Sequence, residues 1–319
     1  MSDLIDVHSH FLTEAYVAAA TAAGHGLPDG MPRWATWSAP DHLALMDRAG
    51  VRASILSISA PGVHFGDDQS ARRMARHVNE FAIETVHRHP DRFAHLAALP
   101  LPDVGGALAE LAHALDVLGS DGVAVLTNVH GVYLGDERYA EVYAELNRRR
   151  ATVFVHPVQP PNWQAVSPDR PRPMLEYIFE SARAATNLIM NGVLTSHPNI
   201  NWIFSHSGGA LPVLVERIQL FRDVFLGAAP GPSVAEQLGV LWYDIAGTPF
   251  PNAVPALERA FGDRRILYGS DYCWTPAPAV LAQLASIDAA PQPDATTWRA
   301  LTTHNAERLF PRLRLRAAA

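Results

Sequence analysis

Residues 4–10 read Leu-Ile-Asp-Val-His-Ser-His, an apolar run that ends in a His-x-His pair. Along a strand, residues i and i+2 project from one face, so His8 and His10 can address a single point while Val7 and Ser9 turn the other way. Taken alone, the pair reads equally well as two satisfied histidines at a strand end, the more so in a chain with 15 histidines. The same ending recurs, however. Val-Phe-Val-His-Pro places His156 after an apolar run, Ile-Phe-Ser-His-Ser-Gly-Gly places His206, and Leu-Tyr-Gly-Ser-Asp places Asp271. Neutral imidazoles and a carboxylate are what a catalytic zinc or similar divalent ion takes as ligands, with one position left for water or substrate. Five such groups, all at carboxyl ends of strand-like runs, make coincidence the lesser explanation.

Working outward, apolar runs of strand length alternate with stretches of helical period. The runs are Leu4 to His10, Ala53 to Ser59, Phe93 to Leu99, Gly122 to Asn128, Thr152 to His156, Asn201 to His206, Leu241 to Ala246 and Ile266 to Asp271. Between them, Tyr139, Val142, Tyr143 and Leu146 fall on one helical stripe within 137–150, and Met74, Val78, Phe81 and Thr85 on another within 68–89. The alternation predicts an α/β fold, a single (β/α)8 TIM barrel over residues 1–319. In that fold the active site lies at the carboxyl ends of the strands, which is where the ligand candidates fall. His197 precedes strand six and belongs at the opposite end. Segments 11–40 and 158–173 show no clear period and are expected as loops capping the site; the second carries Pro160, Pro161, Pro168, Pro171 and Pro173.

Composition narrows the chemistry. A hydrophobic fraction of 48% over 319 residues can bury one large core. A net charge of -7 and the lack of a clustered basic stretch argue against nucleic acid or an anionic membrane as partner. The run Arg148-Arg149-Arg150 is expected as a solvated helix end, where positive charge suits the dipole. No apolar run reaches about 18 residues and none opens the chain, so a cytoplasmic, unexported protein is expected. The lone Cys273 agrees with a reducing compartment and reads as a small packing residue. The basic residues are all arginine, with no lysine. Schiff-base chemistry, a pyridoxal cofactor, a phosphate-loop lysine and a lysine-bridged pair of metals are therefore excluded.

Together, His8-x-His10, His156-Pro157, His206-x-Gly208-Gly209 and Gly269-Ser270-Asp271 resemble the metal-dependent decarboxylase branch of the amidohydrolase superfamily. The resemblance runs from Ile5 to Asn305-Ala306-Glu307-Arg308-Leu309-Phe310. Ser59-Ala60-Pro61-Gly62, Tyr133-Leu134-Gly135 and Gly208-Gly209-Ala210-Leu211-Pro212 look most like its 6-methylsalicylate decarboxylase type. It implies one divalent ion, zinc first and manganese second, held by His8, His10, His156 and Asp271, with no organic cofactor. It further implies that His206 contacts metal-bound water or substrate, and that Arg217 reaches across a homodimer to the neighbouring subunit's substrate carboxylate. On its residues alone, Arg217 reads as a surface arginine beside Glu216. Arg33 is a weaker candidate for carboxylate binding. Trp34, Trp37, Phe65 and Trp163 could pack on an aromatic ring or serve as loop core, and His64 and His130, after strands two and four, read as substrate contacts or, more simply, as ordinary loop histidines.

The expected activity is non-oxidative decarboxylation of a small aromatic acid, an ortho-hydroxybenzoate of the 6-methylsalicylate type. Asp271 is then expected to deliver a proton to the ring carbon, with His206 assisting as acid or base. The same ligands also suit hydrolysis of a lactone, ester or amide, since zinc lowers the pKa of bound water to near 7. A catalytically silent barrel is unattractive beside a complete ligand set.

Overall fold

The computed structural model describes residues 4–225, 227 and 231–314. Eight parallel strands lie in chain order: β1 (Leu4–His10), β2 (Val51–Ser57), β3 (Phe93–Ala98), β4 (Gly122–Leu126), β5 (Thr152–His156), β6 (Asn201–Phe204), β7 (Trp242–Asp244) and β8 (Ile266–Leu267). Helices fill the intervals, as the alternation of periods requires for a parallel sheet. The barrel closes between β8 and β1 through two isolated bridges, Asp6 to Tyr268 and Ser9 to Tyr272. Side chains reinforce that seam. Asp6 accepts from the Ser270 amide at 3.0 Å, from the Ser270 hydroxyl at 2.6 Å and from the Ser54 hydroxyl at 3.3 Å.

The barrel interior is filled by Ile5, Val7, Ile55, Leu96, Phe154, Ile203, Trp242 and Leu267, and Phe310 and Leu313 close this cluster. A larger apolar cluster lies between the strands and the helices. Tyr139, Val142, Tyr143 and Leu146 are buried as their spacing dictates; on the helix Asp68–Arg88, Val78 and Thr85 are buried, and Met74 and Phe81 are half-buried against the same core. Arg148 and Arg150 are exposed at the helix end, as expected of the run, while Arg149 is half-buried and pairs with Glu145 and Asp116, both at 2.6 Å. Cys273 is a buried member of the outer cluster, where burial pushes its thiol up to about 12.

Segment 11–40 differs from the loop expected of it. It contains the helix Glu14–Ala22, capped by the Thr13 hydroxyl accepting from the Tyr16 amide, and the start of the helix Ala39–Ala49. The sequence Glu-Ala-Tyr-Val-Ala-Ala-Ala-Thr-Ala shows little periodicity because alanine occupies nearly every face. Alanine's high helix propensity forms the helix nonetheless. Segment 158–173 does hold little regular structure, with a short turn of helix at Trp163–Val166 and the start of a tighter one at Arg172–Met174. No helix among the described residues is long and apolar enough to cross a membrane.

Two core histidines set an expectation for acid stability. His42 accepts a hydrogen bond from the Trp37 indole at 3.1 Å, and His95 lies 3.0 Å from the Ser120 hydroxyl. Burial pushes both down to about 3, from an ordinary 6.5. Both stay neutral in the fold and take up protons on unfolding, so their contribution is fully present above pH 6.5 and is lost as pH falls toward 3. Urea titrations across that window are expected to lose stability steadily, and His95→Gln should flatten the slope.

Candidate active site

The first ligand pair depends on an irregularity in β1. Asp6 pairs with Ser54 but Ser9 pairs with Leu56, so β1 spends one more residue than β2 over this interval. Such a bulge changes the phase of a strand. Ile5 and Val7 point into the lower barrel, and beyond the bulge His8 and His10 point into its upper mouth. Their Nε2 atoms lie 3.0 Å apart. His156, at the end of β5, stands edge-on to both, with ring centroids 5.4 Å from His8 and 4.9 Å from His10. Asp271, four residues past β8, brings Oδ1 to 3.4 Å from His8 Nε2 and 3.3 Å from His10 Nε2. One ligand atom from each of the four residues lies within 4.8 Å of all the others.

The opposite ring nitrogens show what this cluster suits. His8 Nδ1 faces the Asp244 carboxylate at 3.0 Å, His10 Nδ1 the Ser57 carbonyl at 3.3 Å, and His156 Nδ1 the Pro157 carbonyl at 2.7 Å. Each of these partners accepts, which places the proton on Nδ1 and leaves an Nε2 lone pair aimed at the centre. Lone pairs 3.0 Å apart repel unless a cation lies between them. Two nitrogens on one tetrahedral zinc stand roughly 3.3 Å apart. The residues therefore fit a divalent metal ion.

Without an ion the two carboxylates still draw positive charge to this point, and His8 holds a second proton, on Nε2, that a bound cation would displace. Burial opposes charge on His8, yet the carboxylates of Asp244 and Asp271 outweigh it and carry its pKa up to about 10. Burial holds His10 and His156 down, the latter far below its usual value. Burial pushes the Asp271 carboxyl up, but His8, His10 and His206 together hold it well below the usual carboxylate range. Asp271 also has a left-handed backbone, φ 57, as do His206, φ 53, and Ser207, φ 57. Strain of this kind persists only where the surroundings impose it. Gly269 relieves crowding at the same place, since a Cβ there would stand 2.6 Å from His8 Cβ.

His206 follows β6, its amide donating to Asp244 Oδ1 at 3.2 Å and its Nε2 lying 3.5 Å from Asp271 Oδ2. A cavity of about 270 Å³ opens above His156, His206 and Asp271. Its walls are mainly apolar: Met31, Ala60, Pro173, Tyr177, Ile178 and Trp274. The remaining sequence candidates lie elsewhere in the subunit. Arg33 is exposed, and neither it nor Trp34 lines the cavity; Trp34 packs behind Trp274, ring centroids 5.7 Å apart. Arg217 is exposed on the helix Leu211–Val224, over the Phe221 ring at 4.9 Å. Trp37 bonds His42, Phe65 packs on Tyr16 and His25, and Trp163 lies under Arg172. His64 and His130 bond each other at 2.9 Å and line a second cavity.

Asp244, Trp274, Tyr177 and the cavity-wall residue Met31 escaped the sequence reading. Asp244 ends β7, so the strand-end rule that selects His156 selects it too. Trp274 stands three residues past Asp271 and donates to the Ser59 hydroxyl at 2.7 Å. Tyr177, on the helix Glu176–Met190, carries no local signal at all.

The geometry has counterparts among known proteins. A family model described as amidohydrolase matches residues 5–312. The 6-methylsalicylic acid decarboxylase acuB of Aspergillus aculeatus is 35% identical, the match covering 97% of this chain and 96% of that protein. The decarboxylase yanB of Aspergillus niger is 32% identical over 99% of this chain and 89% of its own length. A solved structure described as an amidohydrolase II superposes with a TM-score of 0.88 at 29% identity, covering 97% of this chain and 99% of that one.

Proposed function

The chain belongs to the amidohydrolase family, and from that premise we propose that its site removes carbon dioxide from a small aromatic acid, an ortho-hydroxybenzoate of the 6-methylsalicylate type. The observation that carries this is the convergence of three Nε2 lone pairs and a carboxylate at the floor of a cavity walled by apolar side chains. His8, His10, His156 and Asp271 hold one divalent ion, zinc in preference to manganese because three imidazoles and a carboxylate match its usual donors. When bound, the ion supplies Lewis-acid stabilisation to the substrate carboxylate and the neighbouring phenolic oxygen. The apolar walls orient the ring and exclude water. Asp271, an anion at rest, first takes a solvent-derived proton through His206 and delivers it to the ring carbon that bears the carboxylate; that carbon's bond to the carboxylate then breaks, its electrons return to the ring, and carbon dioxide leaves. His206 Nε2 faces Asp271 Oδ2 for this relay. The identity to acuB over nearly the whole chain supports decarboxylation over hydrolysis.

The test is product mass for the metal-analysed protein with a panel of hydroxybenzoic acids and lactones, with and without chelator. Loss of 44 mass units from one acid, abolished by chelation, is the expected result. Gain of 18 units from a lactone with no acid consumed would replace this reading by the hydrolase.

We further propose that the protein works as a cytoplasmic homodimer in which Arg217 serves the neighbouring site. Val213, Leu220, Val224 and Phe225 on and just after the Arg217 helix are exposed, an apolar face that a second copy would cover. Arg217→Ala is expected to lower kcat/KM at least about tenfold with metal content unchanged, because a buried carboxylate loses its charged partner. Sedimentation of the wild type as a monomer at assay concentration would sink the idea.

A further inference from the structure

Segments 11–40 and 158–173, which rise over the cavity, are joined by a buried carboxylate that the proposed chemistry does not use. Asp29 is 2% exposed and has a left-handed backbone, φ 46. Its Oδ2 accepts from the Gln159 amide at 2.9 Å and from the Tyr177 hydroxyl at 2.8 Å. The Tyr177 ring lines the cavity and stands edge-on to His156, with centroids 5.8 Å apart at 82°. A second tie runs alongside. Arg172 Nε donates to Gln159 Oε1 at 2.9 Å, and its guanidinium stacks 4.0 Å from the Trp163 ring. That guanidinium also lies against Gly30, φ 74, where any Cβ would collide with it. Pro28 and Met31 on one segment, Pro173 at the end of the other and Tyr177 just beyond it are cavity walls carried by these ties.

We infer that Asp29 is a positioning residue: by accepting from Gln159 and Tyr177 it locks the two segments together and holds the Tyr177 ring as a fixed wall of the substrate cavity. The inference rests on the cavity being the aromatic-acid site. With its hydroxyl committed to Asp29, Tyr177 offers the substrate only its ring. Burial holds the Tyr177 proton on well above its ordinary pKa, so the hydroxyl stays a donor. Only one oxygen of Asp29 is engaged; Oδ1 has no hydrogen-bond partner among the described residues. The carboxylate thus acts by shape and acceptance, and its charge is dispensable.

Three variants separate these features. Asp29→Asn keeps an acceptor and tolerates the left-handed backbone; Asp29→Gly keeps the backbone and deletes the acceptor; Tyr177→Phe keeps the ring and deletes the donor. Hydrogen exchange needs no substrate. Asp29→Gly is expected to release the Gln159 amide and to speed exchange across 24–33 and 158–175, with Asp29→Asn close to wild type. Salicylate titrated into the metal-loaded protein is expected to bind Asp29→Asn within about twofold of wild type, and Asp29→Gly about tenfold more weakly. Tyr177→Phe is expected to weaken binding by a smaller factor, and adding it to Asp29→Gly should cost nothing more. Asp29→Asn as weak as Asp29→Gly, or unchanged exchange in Asp29→Gly, overturns the inference. Released segments in Asp29→Gly, in a protein whose wild type binds no hydroxybenzoate, would uphold the tie and reject the aromatic-acid reading instead.

Discussion

Asp271→Asn is expected to lower turnover by about a hundredfold to ten-thousandfold, the range associated with losing a positioned proton donor. The two carboxylate oxygens face different partners: Oδ1 lies 3.4 and 3.3 Å from the Nε2 atoms of His8 and His10, and Oδ2 lies 3.5 Å from His206 Nε2. An amide has the same outline but a single oxygen. It can serve the metal position or the His206 side, not both, and its nitrogen cannot shuttle a proton. Asparagine adopts the left-handed backbone readily, so the change is local. Metal content and single-turnover product formation should be measured on the same sample. Near wild-type turnover with full metal would remove Asp271 from the proton-transfer role.

Asp244→Asn is the second large effect, although Asp244 lies outside the proposed ligand set. Its Oδ2 fixes the Nδ1 proton of His8, while Oδ1 accepts from the amides of His206 and Ala246. One buried carboxylate therefore sets the tautomer of a ligand and the position of His206. Burial alone would raise its pKa, but His8 and His206 hold it below the ordinary value, so it is an anion here. Asparagine weakens that support, and losses of partners behind a ligand generally cost about 10–100-fold in metal affinity. Activity should return in part with excess metal, distinguishing this variant from Asp271→Asn. Unaltered metal affinity would reduce Asp244 to a packing role.

The proposed ligand set was legible because one geometric rule governs it. Barrel strands present their carboxyl ends to one mouth, and His8, His10, His156 and Asp271 are, with His206, polar residues that end apolar runs. The rule also covered Asp244, but a lone carboxylate inside Leu-Trp-Tyr-Asp-Ile reads as part of the strand unless its partner is known. What local sequence could not carry was the phase change in β1, which depends on pairing with β2. Met31, Tyr177 and Trp274 were invisible for a related reason: their places depend on how loops far apart in sequence meet over the barrel. Trp34 and Trp274 show the difference. Both are loop tryptophans, yet Trp274 lines the cavity and Trp34 stands behind it.

The seam between β8 and β1 rests on two isolated bridges and the Asp6 contacts, while every other pair of neighbouring strands shares a ladder, the one between β1 and β2 interrupted by the bulge. His8 and His10 stand on one side of that seam and Asp271 on the other. An ion bound by all of them joins the first strand to the last, so metal affinity and barrel closure are thermodynamically linked. The melting temperature of the protein should therefore climb with free metal concentration, and chelation should loosen the molecule first where its two ends meet.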